Sequence, residues 1–228
     1  MQLLDCHRHC HSAEALRASA GVAIVSSDPP TVEQWLWEGF SGPFSVGIHP
    51  WDVTEYSESQ IDKLRLVASR PEVVAIGETG IDTVRHQAPV GVQQQVFSAH
   101  ARLSVELCKP LIIHIVKGLD PVVEVLRDAA DEAKADVPPV IFHGFRGKPQ
   151  MARQILRAVP NAYFSMGERF NAETLDWLRA QAPERILAET DESALQINQI
   201  ISRLDLSTSE VAANVRRAFS CACGPRLS

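Results

Sequence analysis

The sequence predicts an α/β fold, a single distorted (β/α)8 barrel with parallel strands and a C-terminal helix. Short apolar runs without polar alternation are typical of strands buried on both faces, and here they alternate with helix-like stretches. Eight such runs indicate that the sheet closes into a TIM-type barrel. The length of 228 residues suits one domain over residues 1–228.

The eight predicted strands are spread along the whole chain. They are Leu3 to His7, Gly21 to Ser26, Phe44 to His49, Val73 to Glu78, Leu111 to Ile115, Val140 to His143, Ala162 to Met166 and Ile186 to Glu189. Helices are predicted to begin near Thr31, Ser57, Val92, Pro121, Pro149, Asn171 and Leu195, several of them at a capping residue. A last helix is predicted from Ser207 to about Phe219, with Glu210 completing a capping box. Residues 10–20 are short for a full helix, so we expect the barrel to be irregular there.

Composition limits the possible functions. The net charge of −6 and the absence of a Lys/Arg block argue against a general polyanion-binding surface, although bound cations could still hold a phosphodiester. No apolar run is long enough to span a membrane, and residues 1–20 lack a signal-peptide pattern, which predicts a cytoplasmic protein. An odd number of cysteines fits a reducing compartment, with Cys221 and Cys223 interpreted as an ordinary tail. No obligate protein partner is evident.

Histidines and carboxylates follow the apolar runs. His7 and His9 share one face of a strand, so both imidazoles can bind one ion while Arg8 points away. Glu78 follows a buried run, where a carboxylate without a cation partner would be costly. A surface turn is the alternative for Glu78.

Three further residues stand in similar positions. His114 and His143 end or interrupt apolar runs, and Asp191 follows another. His114 alone would be interpreted as a core histidine, and Asp191 alone as a helix cap. Four histidines, one glutamate and one aspartate together form a set that holds two divalent cations, with Mg, Mn, Zn and Ni all acceptable.

In this order the segments resemble the TatD-type metal-dependent deoxyribonuclease family of the amidohydrolase superfamily. The resemblance extends from about Leu3 to Phe219. It is carried by Asp5 to His9, Gly47 to Pro50, Ile76 to Asp82, Gln94 to Phe97, Pro110 to His114, His143 to Gly147, Glu189 to Asp191 and Ser209 to Phe219. It implies a barrel with two divalent ions that removes nucleotides from DNA by hydrolysing phosphodiester bonds, so that DNA is the expected substrate.

The resemblance also implies roles for individual residues. One ion would be held by His7, His9, Glu78 and Asp191, and the other by Glu78, His114 and His143. Asp191 and Glu78 are the catalytic candidates, with Asp191 taking the proton of the attacking water and Glu78 bridging the ions. His49 is a candidate to hold the substrate phosphate, and Arg146 and Lys117 could neutralise its charge. Ordinary loop residues are the alternative for these three.

Departures from the family pattern concern the substrate. The chain has Ile115-Val116 after His114, Arg146 in the segment after His143, and only a short segment between Asp191 and the helix predicted from Leu195. The rim of the site is therefore expected to be short, and only Trp51 and Phe170 are candidates to stack on bases. Both features favour, as an alternative, a binuclear hydrolase of a small phosphoester, amide or lactone. A non-catalytic metal-containing scaffold is a further alternative, disfavoured because all six ligand positions are filled.

Overall fold

The computed structural model describes residues 2–134 and 137–220, and in these ranges eight parallel strands close into one barrel. The strands are β1 Asp5–Arg8, β2 Ala23–Ser27, β3 Phe44–Val46, β4 Val73–Asp82, β5 Leu111–Val116, β6 Val140–Phe142, β7 Ala162–Met166 and β8 Ile186–Ala188. The barrel closes where Asp5 of β1 pairs with Ala188 of β8. The predicted fold class is therefore confirmed. Cys221 and Cys223 lie outside the described residues.

Nine α-helices lie in the described part of the chain. They are α1 Ala13–Ser19, α2 Pro29–Trp37, α3 Glu58–Ala68, α4 Val90–Leu107, α5 Leu119–Ala133, α6 Pro149–Ala158, α7 Ala172–Gln181, α8 Ile197–Arg203 and α9 Thr208–Phe219. The short α1 and the register shift between β1 and β2 confirm the irregular start of the barrel. The capping box of Ser207 and Glu210 is also confirmed.

Several predicted helix starts were wrong by two residues. α2 begins at Pro29 rather than near Thr31, and Asp28 is its cap, since the Asp28 carboxylate accepts the Thr31 N–H. Proline suits the first helical position because the amide it lacks would have no partner within the helix. The other shifted starts are those of α4 at Val90, α5 at Leu119 and α8 at Ile197.

The pair β4 and β5 extends beyond the predicted strand ends. Glu78 consequently lies inside β4 rather than at its last position, which corrects the predicted strand end, and His114 lies inside β5 as predicted. Glycine at position 80 lets β4 and β5 approach each other closely. A Cβ at Gly80, whose φ is +139°, would overlap the backbone carbonyl of His114. The side chains of Glu78 and His114 are thereby brought together at the barrel mouth.

One hydrophobic core joins the strands to the helices around them. Its largest fully buried side chains include Phe44, Phe142 and Phe164 from three different strands, together with Phe97 of α4. A closed, filled barrel leaves its functional groups to the carboxyl ends of the strands. No helix in the described ranges has both the length and the apolar character needed to cross a bilayer.

Candidate metal centre

The Glu78 carboxylate is the centre of the site and is contacted by five imidazoles. Its Oε2 lies 3.2 Å from Nε2 of both His7 and His9. Its Oε1 lies 3.1 Å from His49 Nε2, 2.9 Å from His114 Nδ1 and 2.7 Å from His143 Nε2. One buried carboxylate therefore divides the cluster into an Oε2 side and an Oε1 side.

The Oε2 side is built by β1 and the segment after β8. His7 of β1 and His9, one residue beyond its end, project to the same face, as predicted, with ring centroids 4.8 Å apart. Asp191 is tied to β1 by its backbone, because its N–H donates to the His7 carbonyl and its carbonyl accepts the His9 N–H. The Asp191 Oδ1 atom lies 3.9 Å from His7 Nε2 and 3.8 Å from His9 Nε2.

On the Oε1 side, carboxylates stand behind the imidazoles. His114 Nε2 is 3.1 Å from Asp82 Oδ2, and His143 Nδ1 is 3.4 Å from Glu189 Oε1. The other nitrogens, His114 Nδ1 and His143 Nε2, face Glu78 Oε1, so each ring has a carboxylate at both ends. With a cation beside Glu78, the carboxylates behind the rings would keep the ring proton on the nitrogen facing them and leave His114 Nδ1 and His143 Nε2 as lone-pair donors. The structure thus gives roles to Asp82 and Glu189, which the sequence analysis did not assign.

Among residues 2–134 and 137–220, three sets of side chains bring their donor atoms within 4.8 Å of one another, close enough to hold a metal ion. They are His7 with His9 and Glu78, His7 with His143 and Asp191, and His49 with Glu78 and His114. Together they include every ligand predicted from the sequence, and His49 in addition.

The surroundings of the His7 ring show whether a metal ion would fit on the Oε2 side. It is fully buried, and neither ring nitrogen has a hydrogen-bond partner of good geometry among the described residues. A buried polar atom without a partner is costly, and a cation next to His7 Nε2 would satisfy it. The residues present therefore fit a metal on the Oε2 side.

His49 is a poorer ligand than its position suggests. Its Nδ1 accepts the backbone N–H of Trp51 at 3.1 Å, so in the neutral ring the proton lies on Nε2. A protonated Nε2 donates hydrogen bonds but has no lone pair for a metal. This tautomer favours the predicted contact between His49 and a substrate phosphate over ligation.

The electrostatics of the cluster depend on the same contacts. Burial would raise the pKa of the Glu78 carboxyl, but the imidazoles of His143, His114 and His49 hold that pKa well below its usual range. Burial also acts on Asp82, where the N–H of Trp51 and two backbone amides outweigh it and lower the pKa to about 2. Both carboxylates are consequently anionic and available to a cation or to a histidine ligand.

Trp51 is a wall of the site rather than a free stacking platform. Its indole N–H donates to Asp82 Oδ2 at 2.8 Å, and its ring meets His49 with centroids 4.6 Å apart. The guanidinium carbon of Arg85 lies 3.8 Å from the Trp51 ring centroid, so the guanidinium covers one face of the indole. Arg85, which the sequence analysis missed, is therefore the arginine stacked beside the site.

The cluster opens into a cavity of about 340 Å³. Carboxylates lie around it, namely Asp28, Asp52, Glu78, Asp191 and Glu192. The predicted phosphate contacts Arg146 and Lys117 are exposed and are not among its described lining residues. An acidic cavity repels a phosphodiester unless cations supply positive charge within it.

Comparison with known proteins gives consistent relatives. Residues 5–200 match the family model of TatD-related DNases. An uncharacterised metal-dependent hydrolase of Bacillus subtilis is 29% identical over 177 residues, covering 75% of this chain and 67% of that protein. A 3′-5′ ssDNA/RNA exonuclease of Klebsiella pneumoniae is 30% identical over 191 residues, covering 79% of this chain and 71% of that protein.

The fold has solved counterparts. The chain superposes on the Escherichia coli TatD homologue YJJV with a TM-score of 0.72 at 20% identity, covering 96% of this chain and 98% of that one. At this identity the likeness concerns the barrel alone.

Proposed function

We propose, from the premise that this chain belongs to the TatD-related DNase family of metal-dependent hydrolases, that it hydrolyses phosphodiester bonds in nucleic acid. Like the activity named for the Klebsiella relative, the reaction would remove nucleotides from the 3′ end of a single strand. The observation that carries the proposal is the Glu78 carboxylate, shared by imidazoles on both of its oxygens. A cytoplasmic location stays a prediction.

Two divalent cations would be held on the two sides of Glu78. His7, His9 and Asp191 would hold one, His114 and His143 the other, and Glu78 would serve both. Cations there would lower the pKa of a water molecule and neutralise phosphate charge. The support is the orphaned His7 ring and the two backing carboxylates.

Asp191 would accept the proton of the attacking water. Its carboxylate lines the cavity and is 35% exposed, so water can reach it. The backbone hydrogen bonds to β1 fix its direction, and Asp191 itself has a φ of +53°. A general base needs this combination of access and fixed position.

His49 and Arg85 would bind the substrate phosphate. The proton on His49 Nε2 can turn from Glu78 Oε1 to a phosphate oxygen entering the cavity. Arg85 is exposed and is held over Trp51, which lines that cavity. The exposed Arg146 and Lys117 would neutralise phosphates of a longer strand.

A hydrolase of a small phosphoester, amide or lactone is the second candidate. The cavity of about 340 Å³ and its acidic rim favour it, since both limit the room for a polyanion. The short segment between Asp191 and α8, which begins at Ile197, also favours it, because a longer segment would offer a nucleic-acid strand more surface.

One activity screen separates the candidates. Protein stripped with chelator is supplied with Mg, Mn, Zn or Ni and incubated with 5′-labelled single-stranded DNA, duplex DNA, RNA and a panel of small esters, amides and lactones. We expect metal-dependent shortening of single strands from the 3′ end. His143→Asn should abolish it, while His86→Asn, at an exposed histidine, should leave it unchanged.

The outcomes are distinct. Turnover of a small ester without nucleolysis would establish the second candidate. Metal binding without any turnover would support a scaffold. The proposed metal centre would be contradicted if protein purified without chelator contained no metal and its activity did not depend on added metal.

A further inference from the structure

His100 of α4 lies outside the metal cluster, is fully buried and uses both of its ring nitrogens. Its Nδ1 is 2.8 Å from the Val96 carbonyl oxygen, which can only accept a hydrogen bond, so Nδ1 carries the proton. Its Nε2 accepts the backbone N–H of Ile48 at 2.9 Å. Burial lowers the pKa of the ring to about 4, in agreement with a neutral imidazole in this one tautomer.

The Ile48 amide lies in the segment that aims His49. β3 ends at Val46, after which the Gly47 N–H still donates to the Ser27 carbonyl on β2. The next amide, that of Ile48, has left the sheet and is bound by a side chain from the helix instead. His49 follows directly, with its Nδ1 fixed by the Trp51 N–H.

We propose that His100 is a positioning residue for substrate binding, which holds the segment after β3 so that His49 Nε2 points into the metal cavity. This inference rests on the proposed function for its kinetic consequence, but its structural consequence is independent of it. Only a neutral acceptor of this reach can bind the Ile48 amide while its other end donates to the Val96 carbonyl.

Glutamine at position 100 can reproduce both contacts. Its amide oxygen can accept the Ile48 N–H and its NH2 group can donate to the Val96 carbonyl. Leucine fills similar space but leaves both backbone groups without a partner, and asparagine is too short to reach both. His100→Leu should therefore release the segment, and His100→Gln should keep it.

The first test uses nuclear magnetic resonance and does not require a substrate. In 15N-labelled protein, hydrogen exchange of the Ile48 amide should quicken by about 10-fold or more in His100→Leu and stay near the wild-type rate in His100→Gln. The 15N chemical shifts of the His49 ring nitrogens should change in His100→Leu. Where His100→Leu does not fold, His100→Asn takes its place. Equal protection of Ile48 in all folded variants would overturn the proposal.

The second test is kinetic. With a phosphodiester that wild type cleaves, His100→Leu should raise KM by about 10-fold and change kcat less, because it weakens binding of the phosphate. Metal content should stay at the wild-type level. In a His49→Ala background, His100→Leu should have no further effect on KM, since the two act through one contact. Additive effects would contradict the proposal, whereas a wild type that cleaves no phosphodiester would contradict the proposed function alone.

Discussion

The two sides of Glu78 differ in how their histidines are supported. On the Oε1 side, His114 and His143 each have a buried carboxylate behind them, Asp82 and Glu189, although only His114 makes a hydrogen bond of good geometry with its carboxylate. On the Oε2 side, the His7 ring has no hydrogen-bond partner of good geometry among the described residues. Here the support comes from the backbone instead, through the pairing of β1 with the segment after β8.

This difference indicates two kinds of metal site. Carboxylates behind the ligands hold the ring proton on the far nitrogen when a metal binds and raise the basicity of the imidazoles. The Oε1 side is thus preorganised by side chains, and the Oε2 side depends on a cation to satisfy His7. We expect the Oε1 site to bind its ion more tightly and the Oε2 site, next to Asp191, to exchange its ion more readily.

We expect the largest effect from a substitution of Glu78, the carboxylate that both sides share. Glu78→Gln keeps the size of the side chain but removes the charge on both oxygens. We expect loss of both ions and a fall in kcat/KM of about 10³-fold or more. Metal analysis and steady-state kinetics measure this, with circular dichroism to verify folding. A variant that retains both ions would show that the sides are independent.

Asp191→Asn should affect the chemistry more than the fold. Asparagine cannot take a proton from water, so we expect kcat to fall by about 10²- to 10³-fold, a range typical of general-base removal. The barrel should stay folded because the backbone bonds of Asp191 to β1 do not need its carboxylate. Unchanged turnover at saturating metal would exclude Asp191 as the base.

A pH effect on stability should come from His100, behind the Oε1 side. Its pKa is about 4 in the folded protein and near 6.5 in the unfolded chain, so the unfolded state binds more protons between these values. Stability from this group is fully present above pH 6.5 and is lost as pH falls toward 4.

His100→Gln removes this titration and is the matched variant. Relative to it, wild type should lose about 3 kcal/mol of unfolding free energy between pH 7 and pH 4. Urea unfolding at several pH values in the presence of chelator measures the difference, and the other groups titrate alike in both proteins. Parallel pH profiles would mean that His100 is not neutral and buried as described.

The backing carboxylates should give the smallest of these effects. Asp82→Asn or Glu189→Gln should weaken metal binding by about 10- to 100-fold at one site and leave the other near its wild-type affinity. Calorimetric titration with Mn²⁺ resolves the two sites. Equal weakening of both would contradict the assignment of these carboxylates to the Oε1 side.

The sequence predicted the strands and the set of six candidate ligands, but not the residues that support them from elsewhere in the chain. The apolar runs identify strands without knowledge of their partners, and the spacing of His7 and His9 alone places both on one face. By contrast, Asp82 and His114 meet across 32 residues, and His100 and Ile48 across 52. No short pattern reports such contacts, because barrel closure and the β4–β5 register create them.

The bridging role of Glu78 is tested most directly by electron paramagnetic resonance of protein loaded with Mn²⁺. Two ions held on the two sides of Glu78 would be expected at the separation typical of two-metal sites, roughly 3.5 to 4 Å, and would couple magnetically. We predict two Mn²⁺ per chain and an exchange-coupled spectrum. One ion per chain, or two ions that give only the six-line signal of isolated Mn²⁺, would contradict the account.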